Sequence, residues 1–331
     1  NPSYNANLFV NGISSAAYKQ LTQNPAHPLF NRCLRGLYSP GSTIKPFIAY
    51  FALSNNVITS SSSISDPGWF KLPHTHHVFH DWKKTGHGIV NVTKAITVSC
   101  DTFFYHLAAK LGINRLDSAL FQFGFGQPTH IDINGSLNGI VPTPAWELKT
   151  KRHPWYTGDT VITGIGQGSL LVTPLQLAEA TATFANHGLR VQPHLLLYST
   201  NALGIKTPFI PNKEQVYANN PKAWGIVTHA MEKVISSPFG TAIHFGKHAN
   251  YQAAGKTGTA QVFAKSDVNI DKTNLPKILR NNHLFIAFAP VKKPEIALAV
   301  VIEHGPDADG IARKIIDAYF RLEHPSNNQG K

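Results

Sequence analysis

"YSPGSTIKPF", residues 38–47, sets a serine and a lysine three places apart directly after a Pro-Gly turn. The run continues through "IAYFALSNN" to residue 56, so 42–56 reads as a helix with Ser42 at its mouth. Pro46 falls in the first turn, where its missing N–H costs little. Positions three apart share a helix face, so Ser42 and Lys45 point side by side. A serine hydroxyl is a poor nucleophile until a base removes its proton, and a lysine can do so when burial and a neighbouring cation lower its pKa. The helix mouth adds backbone N–H groups and a positive dipole end, suited to a developing oxyanion. Alone the motif decides little. A chain of 331 residues holds roughly one S-x-x-K by chance, and serine is an ordinary helix cap.

Two further stretches change the weight of the first. "SCD", Ser99 to Asp101, opens a second helix, "DTFFYHLAAKLG", with Phe104, Leu107, Ala108 and Leu111 as its apolar stripe and Gly112 as its stop. "KTGTAQ", Lys256 to Gln261, falls within a strand read over "YQAAGKTGTAQVF", residues 251–263. S-x-x-K, S-x-D/N and K-T-G in this order, at a helix mouth, a helical-lobe loop and an edge strand, leave no room for chance. The expected roles follow from chemistry. Ser42 attacks an acyl carbon, Lys45 takes its proton, and Ser99 relays a proton to the leaving amine. Lys256 supplies a second positive charge that helps keep Lys45 neutral and attracts a substrate carboxylate. Thr257 and Thr259 offer that carboxylate hydroxyls, and Gly258 lets a backbone approach closely. The amides of Ser42 and Thr259 form the oxyanion hole.

Outward from these motifs, "NLFVNG" (7–12) reads as a strand ending in an Asn-Gly turn. Residues 57–90, rich in Ser, Gly, Pro and His, read as a long irregular loop of the kind that is often functional. "TPLQLAEATATFANHG" has Thr173 as N-cap, Pro174 in the first turn and Gly188 as terminator, and "PKAWGIVTHAMEKVISS" is another helix. "HLFIAFAPV" and "EIALAVVIEH" pair across "KKP", and "GIARKIIDAYFRL" closes the chain as an amphipathic helix. The expected fold is α/β of the α+β type. A central antiparallel sheet is flanked by helices, with a mainly helical lobe over roughly 52–240 inserted between sheet-forming segments at 1–51 and 241–331, all in one domain.

Composition narrows the class. The chain is 42% hydrophobic and 15% charged, ample for a large core and unlike a disordered chain. Its net charge of +12 suits an anionic partner. Lys and Arg do not cluster with interleaved aromatics, so nucleic acid is not expected. Two cysteines, Cys33 and Cys100, are too few for a disulfide framework but leave one disulfide or a metal-bound thiolate open. No stretch is long and apolar enough to span a membrane, and the opening "NPSYNANLFV" reads as the interior of a longer protein.

At its three motifs the chain resembles the penicillin-binding protein transpeptidases, and more narrowly the penicillin-binding protein 2 subfamily of class B enzymes. "LFVNGIS", "SPGSTIKPF", "DPGWFKLP", "DWKKTGHG", "HPWYTGDT", "GIGQG", "TPLQLA", "KTGTAQVF" and "AFAP" carry the likeness along essentially the whole chain. The resemblance implies a β-lactamase/transpeptidase-like fold and catalytic roles for Ser42, Lys45, Ser99, Asp101 and Lys256, with Thr257, Gly258 and Thr259 binding substrate. Asp101 stands where most penicillin-binding proteins have Asn, an exchange this subfamily shares. The implied reaction is peptidoglycan D,D-transpeptidation through a serine acyl-enzyme during cell elongation, with D,D-carboxypeptidation as a side activity and β-lactams as covalent inhibitors. Implied partners are stem peptides, a RodA-type SEDS glycosyltransferase and elongation-complex proteins, met through an upstream membrane anchor and pedestal. The implied location is the inner membrane with this domain in the periplasm. No cofactor is implied for catalysis.

The irregular loop holds one more pattern. Asp66, Asp81, His87 and Cys100 form D-x14-D-x5-H-x12-C, a donor set able to complete a tetrahedral zinc site. On the residues alone it competes with turn chemistry at Asp66-Pro67-Gly68, with His74, His76, His77 and His80 as rival ligands, and with a buried or Cys33-paired Cys100. The resemblance implies a structural zinc with this spacing beside the active site. Three rivals to the transpeptidase reading stand open: a β-lactamase, which needs a water-activating base such as Glu147 or Glu179; a β-lactam sensor; and a basic polymer-binding protein.

Overall fold

The helix Lys45–Ser54 is the axis of the molecule. In the computed structural model, which describes residues 2–217, 220–261 and 276–324, every residue from Lys45 to Leu53 is buried. A helix buried on all sides belongs in the centre of a core. Tyr50 stacks on Trp224 at 3.7 Å between ring centres, and Phe47 packs against Phe123 at 4.8 Å. These partners come from the helix Pro221–Ser236 and from the end of the helix Asp101–Gln122, which clasp the helix Lys45–Ser54.

The main sheet is antiparallel and three-stranded. Asn282–Ala289 lies in the middle, with Ile296–Ile302 on one side and Ala254–Ala260 on the other. Leu284 to Ala289 are buried without alternation, so both faces of the middle strand are covered. The helices Pro174–Ala185, Pro221–Ser236 and Ala308–Glu323 pack on the sheet. Ala254–Ala260 is left as the edge strand, and it carries Lys256, Thr257, Gly258 and Thr259. Of the strand expected over 251–263, Val262 and Phe263 lie outside the described residues.

Two expectations are corrected. "NLFVNG" is not a strand: Ala6–Phe9 is an exposed 3-10 turn capped by the Asn5 side chain. The first 51 residues therefore contribute no strand among the described residues, and the main sheet comes entirely from 254–302. The physical reason is burial. Leu8, Phe9 and Val10 stay exposed, so no core face rewards pairing there. The loop 57–90 is also more ordered than its composition suggests. Ser63–Asp66 pairs with Gly88–Asn91, and Trp69–Lys71 pairs with Val78–His80. The rest of 52–240 holds helices up to Ala185 and from Pro221, with two more short antiparallel pairs between them, Leu189–Val191 with Lys213–Gln215 and Tyr198–Thr200 with Lys206–Pro208. Gly112 does break its helix, with φ +70°, but a second helical run follows at once to Gln122.

Candidate active site

Gly41–Ile44 is a 3-10 turn that runs directly into the helix Lys45–Ser54. In 3-10 geometry residues three apart eclipse one another, which strengthens the expected Ser42–Lys45 juxtaposition. The turn is wedged against the edge strand. A Cβ on Gly258 would stand 2.7 Å from Thr43 Cγ2 and 2.8 Å from the Pro40 carbonyl oxygen, so only glycine admits the nucleophile turn. Gly41 has φ +54°, and a Cβ there would stand 2.5 Å from the Thr259 carbonyl oxygen. The backbones of Ser42 and Thr259, the two expected oxyanion donors, are thereby brought together. Gly41 N–H donates to the Gly166 carbonyl at 2.8 Å, and Gln167 Nε2 donates to the Thr259 carbonyl at 2.8 Å. Three backbone segments thus converge on one serine.

Lys45 and Lys256 are both wholly buried. Lys45 Nζ donates to Asp101 Oδ1 at 2.6 Å and to the Ser99 carbonyl at 3.0 Å, and reaches Ser99 Oγ at 3.5 Å. It also sits 5.2 Å from the Phe104 ring centre. Lys256 Nζ donates to Ser99 Oγ at 2.9 Å and to the Thr257 carbonyl at 3.0 Å. The Ser99 hydroxyl therefore bridges the two lysine nitrogens. Ser99 itself has φ +57°, a left-handed conformation uncommon outside glycine, between the helices Val92–Thr97 and Asp101–Gln122. That turn lets its hydroxyl point at both lysines while Asp101 starts the next helix.

The charge arrangement departs from expectation. The carboxylate partner stands on Lys45, and it is Lys256 whose pKa is pushed well below the lysine range. Burial is the main cause, the Lys45 ammonium adds to it, and Asp101 opposes both. The sequence reading makes Lys256 a second positive charge; its complete burial opposes that charge.

Ser42, Ser99, Asp101, Thr257, Gly258 and Thr259 line one cleft of about 730 Å³. Among the described residues, the acidic ones on its walls are Asp81, Asp101 and Asp309. Glu147 instead pairs with Lys151 at 3.1 Å and His153 at 3.0 Å, and Glu179 faces Arg190 at 3.9 Å. Neither lines the cleft as a water-activating base would. Sequence reasoning missed Thr241, whose hydroxyl meets that of Thr257 at 2.7 Å, and gave Gln167 no role. Gln167 lies in "GIGQG", whose glycine spacing was the available signal; Thr241 had none.

The four expected metal ligands meet beside the cleft. One donor atom each from Asp66, Asp81, His87 and Cys100 lies within 4.8 Å of all the others. His87 Nδ1 is 2.7 Å from Asp66 Oδ2 and 3.7 Å from Asp81 Oδ1, and Cys100 Sγ is 3.4 Å from Asp66 Oδ2. The rival histidines 74, 76, 77 and 80 do not join this cluster. Cys33 is exposed and Cys100 buried, and both are free, so the disulfide alternative is not formed. Burial raises Asp66, but hydrogen bonds led by the Gly68 amide and His87 outweigh it and bring its pKa down. Burial, with Asp81 and Asp66 adding to it, drives the Cys100 thiol up. Two buried carboxylates, a thiol and an imidazole without a buried cation among them are an expensive group to enclose, and a divalent soft-to-borderline ion fits them.

Residues 1–319 match the family model described as penicillin binding protein transpeptidase domain. The chain is 43% identical over 330 residues to the peptidoglycan D,D-transpeptidase MrdA of Acinetobacter baumannii, covering 98% of this chain and 48% of that protein. It is similar to the crystal structure of Pseudomonas aeruginosa PBP2 in complex with WCK 5153, with a TM-score of 0.86 and 40% identity over 100% of this chain and 71% of the other. It is also similar to PBP2 of Helicobacter pylori, solved as a complex with MreC, with a TM-score of 0.83 and 33% identity over 98% and 56% of the two chains. The chain spans about half the length of the curated relatives it matches.

Proposed function

The chain belongs to the penicillin-binding protein transpeptidase family, and from that premise we propose that it is the catalytic portion of a peptidoglycan D,D-transpeptidase acting in cell elongation. Ser42 Oγ attacks the D-Ala-D-Ala carbonyl of a donor stem peptide. Its proton enters the chain Lys45–Ser99–Lys256, in which burial favours the uncharged amine of Lys256 and so leaves a vacancy. The amides of Ser42 and Thr259 hold the oxyanion, and Ser99 delivers a proton to the departing D-Ala. Thr257 and Thr259 receive the donor carboxylate. An amine from a second stem peptide then takes the acyl group from Ser42. β-Lactams imitate the donor and stop at the ester.

The observation that carries this reading is the Ser99 hydroxyl held between Lys45 and Lys256, in the cleft that Ser42 and Thr257–Thr259 line. Intact mass after incubation with benzylpenicillin tests it. One drug-sized addition is expected on the native protein and none on Ser42→Ala. Labelling of another residue, or no labelling, defeats it. Nitrocefin separates this reading from a β-lactamase: one slow acylation is expected, not repeated turnover.

Asp66, Asp81, His87 and Cys100 are the residues that would hold a structural zinc, which would supply the buried positive charge this group lacks and favour the thiolate of Cys100. The whole protein's partners are taken to be stem peptides, a RodA-type glycosyltransferase and elongation-complex proteins, with the domain in the periplasm and the parent chain at the inner membrane. The likeness to PBP2 solved with MreC supports the elongation context. No helix of the described residues is long and apolar enough to cross a membrane.

A further inference from the structure

Trp82 is the one large apolar side chain among the described residues that is both prominently exposed, at 59%, and set in the catalytic cleft wall. An exposed tryptophan is costly, and this one is fixed in place. Its Nε1 donates to the Val98 carbonyl at 3.1 Å, which ties the ring to the residue before Ser99. Its ring centre lies 5.4 Å from that of His87. Its neighbour Asp81 is anchored by accepting from the Thr102 amide at 2.9 Å and the Lys83 amide at 3.1 Å. A side chain held at its N–H, flanked by His87 and next to an anchored Asp81 loses little entropy when a ligand arrives.

The position selects the ligand. On the transpeptidase reading, the edge strand Ala254–Ala260, with Thr257 and Thr259, receives the donor peptide. Trp82 belongs to the other wall, which carries Ser99, the hydroxyl through which protons reach or leave an amine. A rigid indole on the amine side of a cleft recognises a cation on an aliphatic stem, because its face attracts an ammonium and its area covers methylenes. Resting on the transpeptidase reading, we propose that Trp82 forms the acceptor subsite, binding the aliphatic chain that carries the incoming amine. In the step it serves, the bound ammonium first gives one proton to solvent; the neutral amine nitrogen then bonds to the acyl carbon and the carbon–Oγ bond of the Ser42 ester breaks. The proton released by the nitrogen returns to Ser42 Oγ through the Ser99–lysine chain, leaving an amide and a free serine.

The test uses a benzoyl-D-alanyl thioester as donor and Nα-acetyl-lysine as acceptor, with aminolysis and hydrolysis products both quantified. Trp82→Ala and Trp82→Leu should lower the aminolysis-to-hydrolysis ratio by about tenfold, chiefly through the acceptor KM. Trp82→Phe, which keeps a π face, should retain most of the ratio. Acylation by benzylpenicillin, a donor-side event, should stay within about twofold in all three. Metal content and melting temperature, read alongside, identify a variant that has lost its fold; Trp82→Phe against Trp82→Leu then decides. An unchanged ratio in Trp82→Leu overturns the proposal, as does acylation falling in step with aminolysis. A native protein that acylates yet never transfers to any amine defeats the transpeptidase reading itself, a failure seen before any variant is made.

Discussion

Lys256 shows what a single buried side chain adds to a motif. Its depressed pKa means that it sheds its proton below the ordinary lysine range near 10.4. If that vacancy receives the Ser42 proton, the rate constant for β-lactam acylation rises with pH along a limb well below that value. Arginine keeps its charge at any working pH, so Lys256→Arg should erase the limb and slow acylation by about a hundredfold or more. A variant with the native rate and the native limb would place the base elsewhere. Gly258 makes the complementary point about space. A methyl at this position meets Thr43 Cγ2 and the Pro40 carbonyl oxygen below 3 Å. Gly258→Ala should therefore displace the nucleophile turn and cost at least roughly tenfold in acylation, measured with a fluorescent penicillin, while the melting temperature moves little. The motif letters named both residues. Their environments, a buried ammonium and a slot for a turn, came only with the neighbours.

At the scale of elements, the segment 63–100 holds together for reasons its strands do not supply. Pairs three or four residues long are marginal in isolation. Asp66 and Asp81 knit them instead: Asp66 accepts from the Gly68 and His87 amides at 2.8 and 2.9 Å, and Asp81 reaches the Thr102 amide at the start of the helix Asp101–Gln122. Cys100 is the cap of that helix, its Sγ accepting from Phe103 N–H at 3.4 Å. The cluster therefore joins the loop to the element that begins with Asp101, the partner of Lys45. Metal analysis of the purified protein should find close to one zinc per chain, and chelation or Cys100→Ser should lower the melting temperature by roughly 5 °C or more. Metal-free protein with an unchanged melting temperature would remove the zinc. The ligand spacing was legible in the sequence. The spacing named His87, and its place in the cluster sets it apart from the four rival histidines between residues 74 and 80, which the residues alone left open.

For the whole molecule, the core sets a pH dependence of stability. Asp117 lies buried in the helix Asp101–Gln122, its Oδ1 without a partner among the described residues, and burial raises its pKa to about 7. The unfolded carboxyl titrates near 4, so the native state binds the proton more tightly than the unfolded one. Asp117 thus weakens the fold increasingly between about pH 4 and pH 7 and by a constant amount above that, on the order of a few kcal/mol. Asp117→Asn should raise the melting temperature at pH 8 and leave it nearly unchanged at about pH 4.5; equal gains at both would show that the charge is not the cause. The sequence by itself determined the five helices of ten or more residues, the C-terminal strands and the motif residues that converge at the candidate site, because periodicity and motif spacing are local or strongly patterned properties. Only the tertiary structure decided that "NLFVNG" is not a strand, that the short strands of 57–90 form, that Lys256 carries the depressed pKa and that Trp82 walls the cleft. Each of those depends on which distant groups remove water from a residue, and desolvation is a property of the packed neighbourhood that no stretch of chain carries alone.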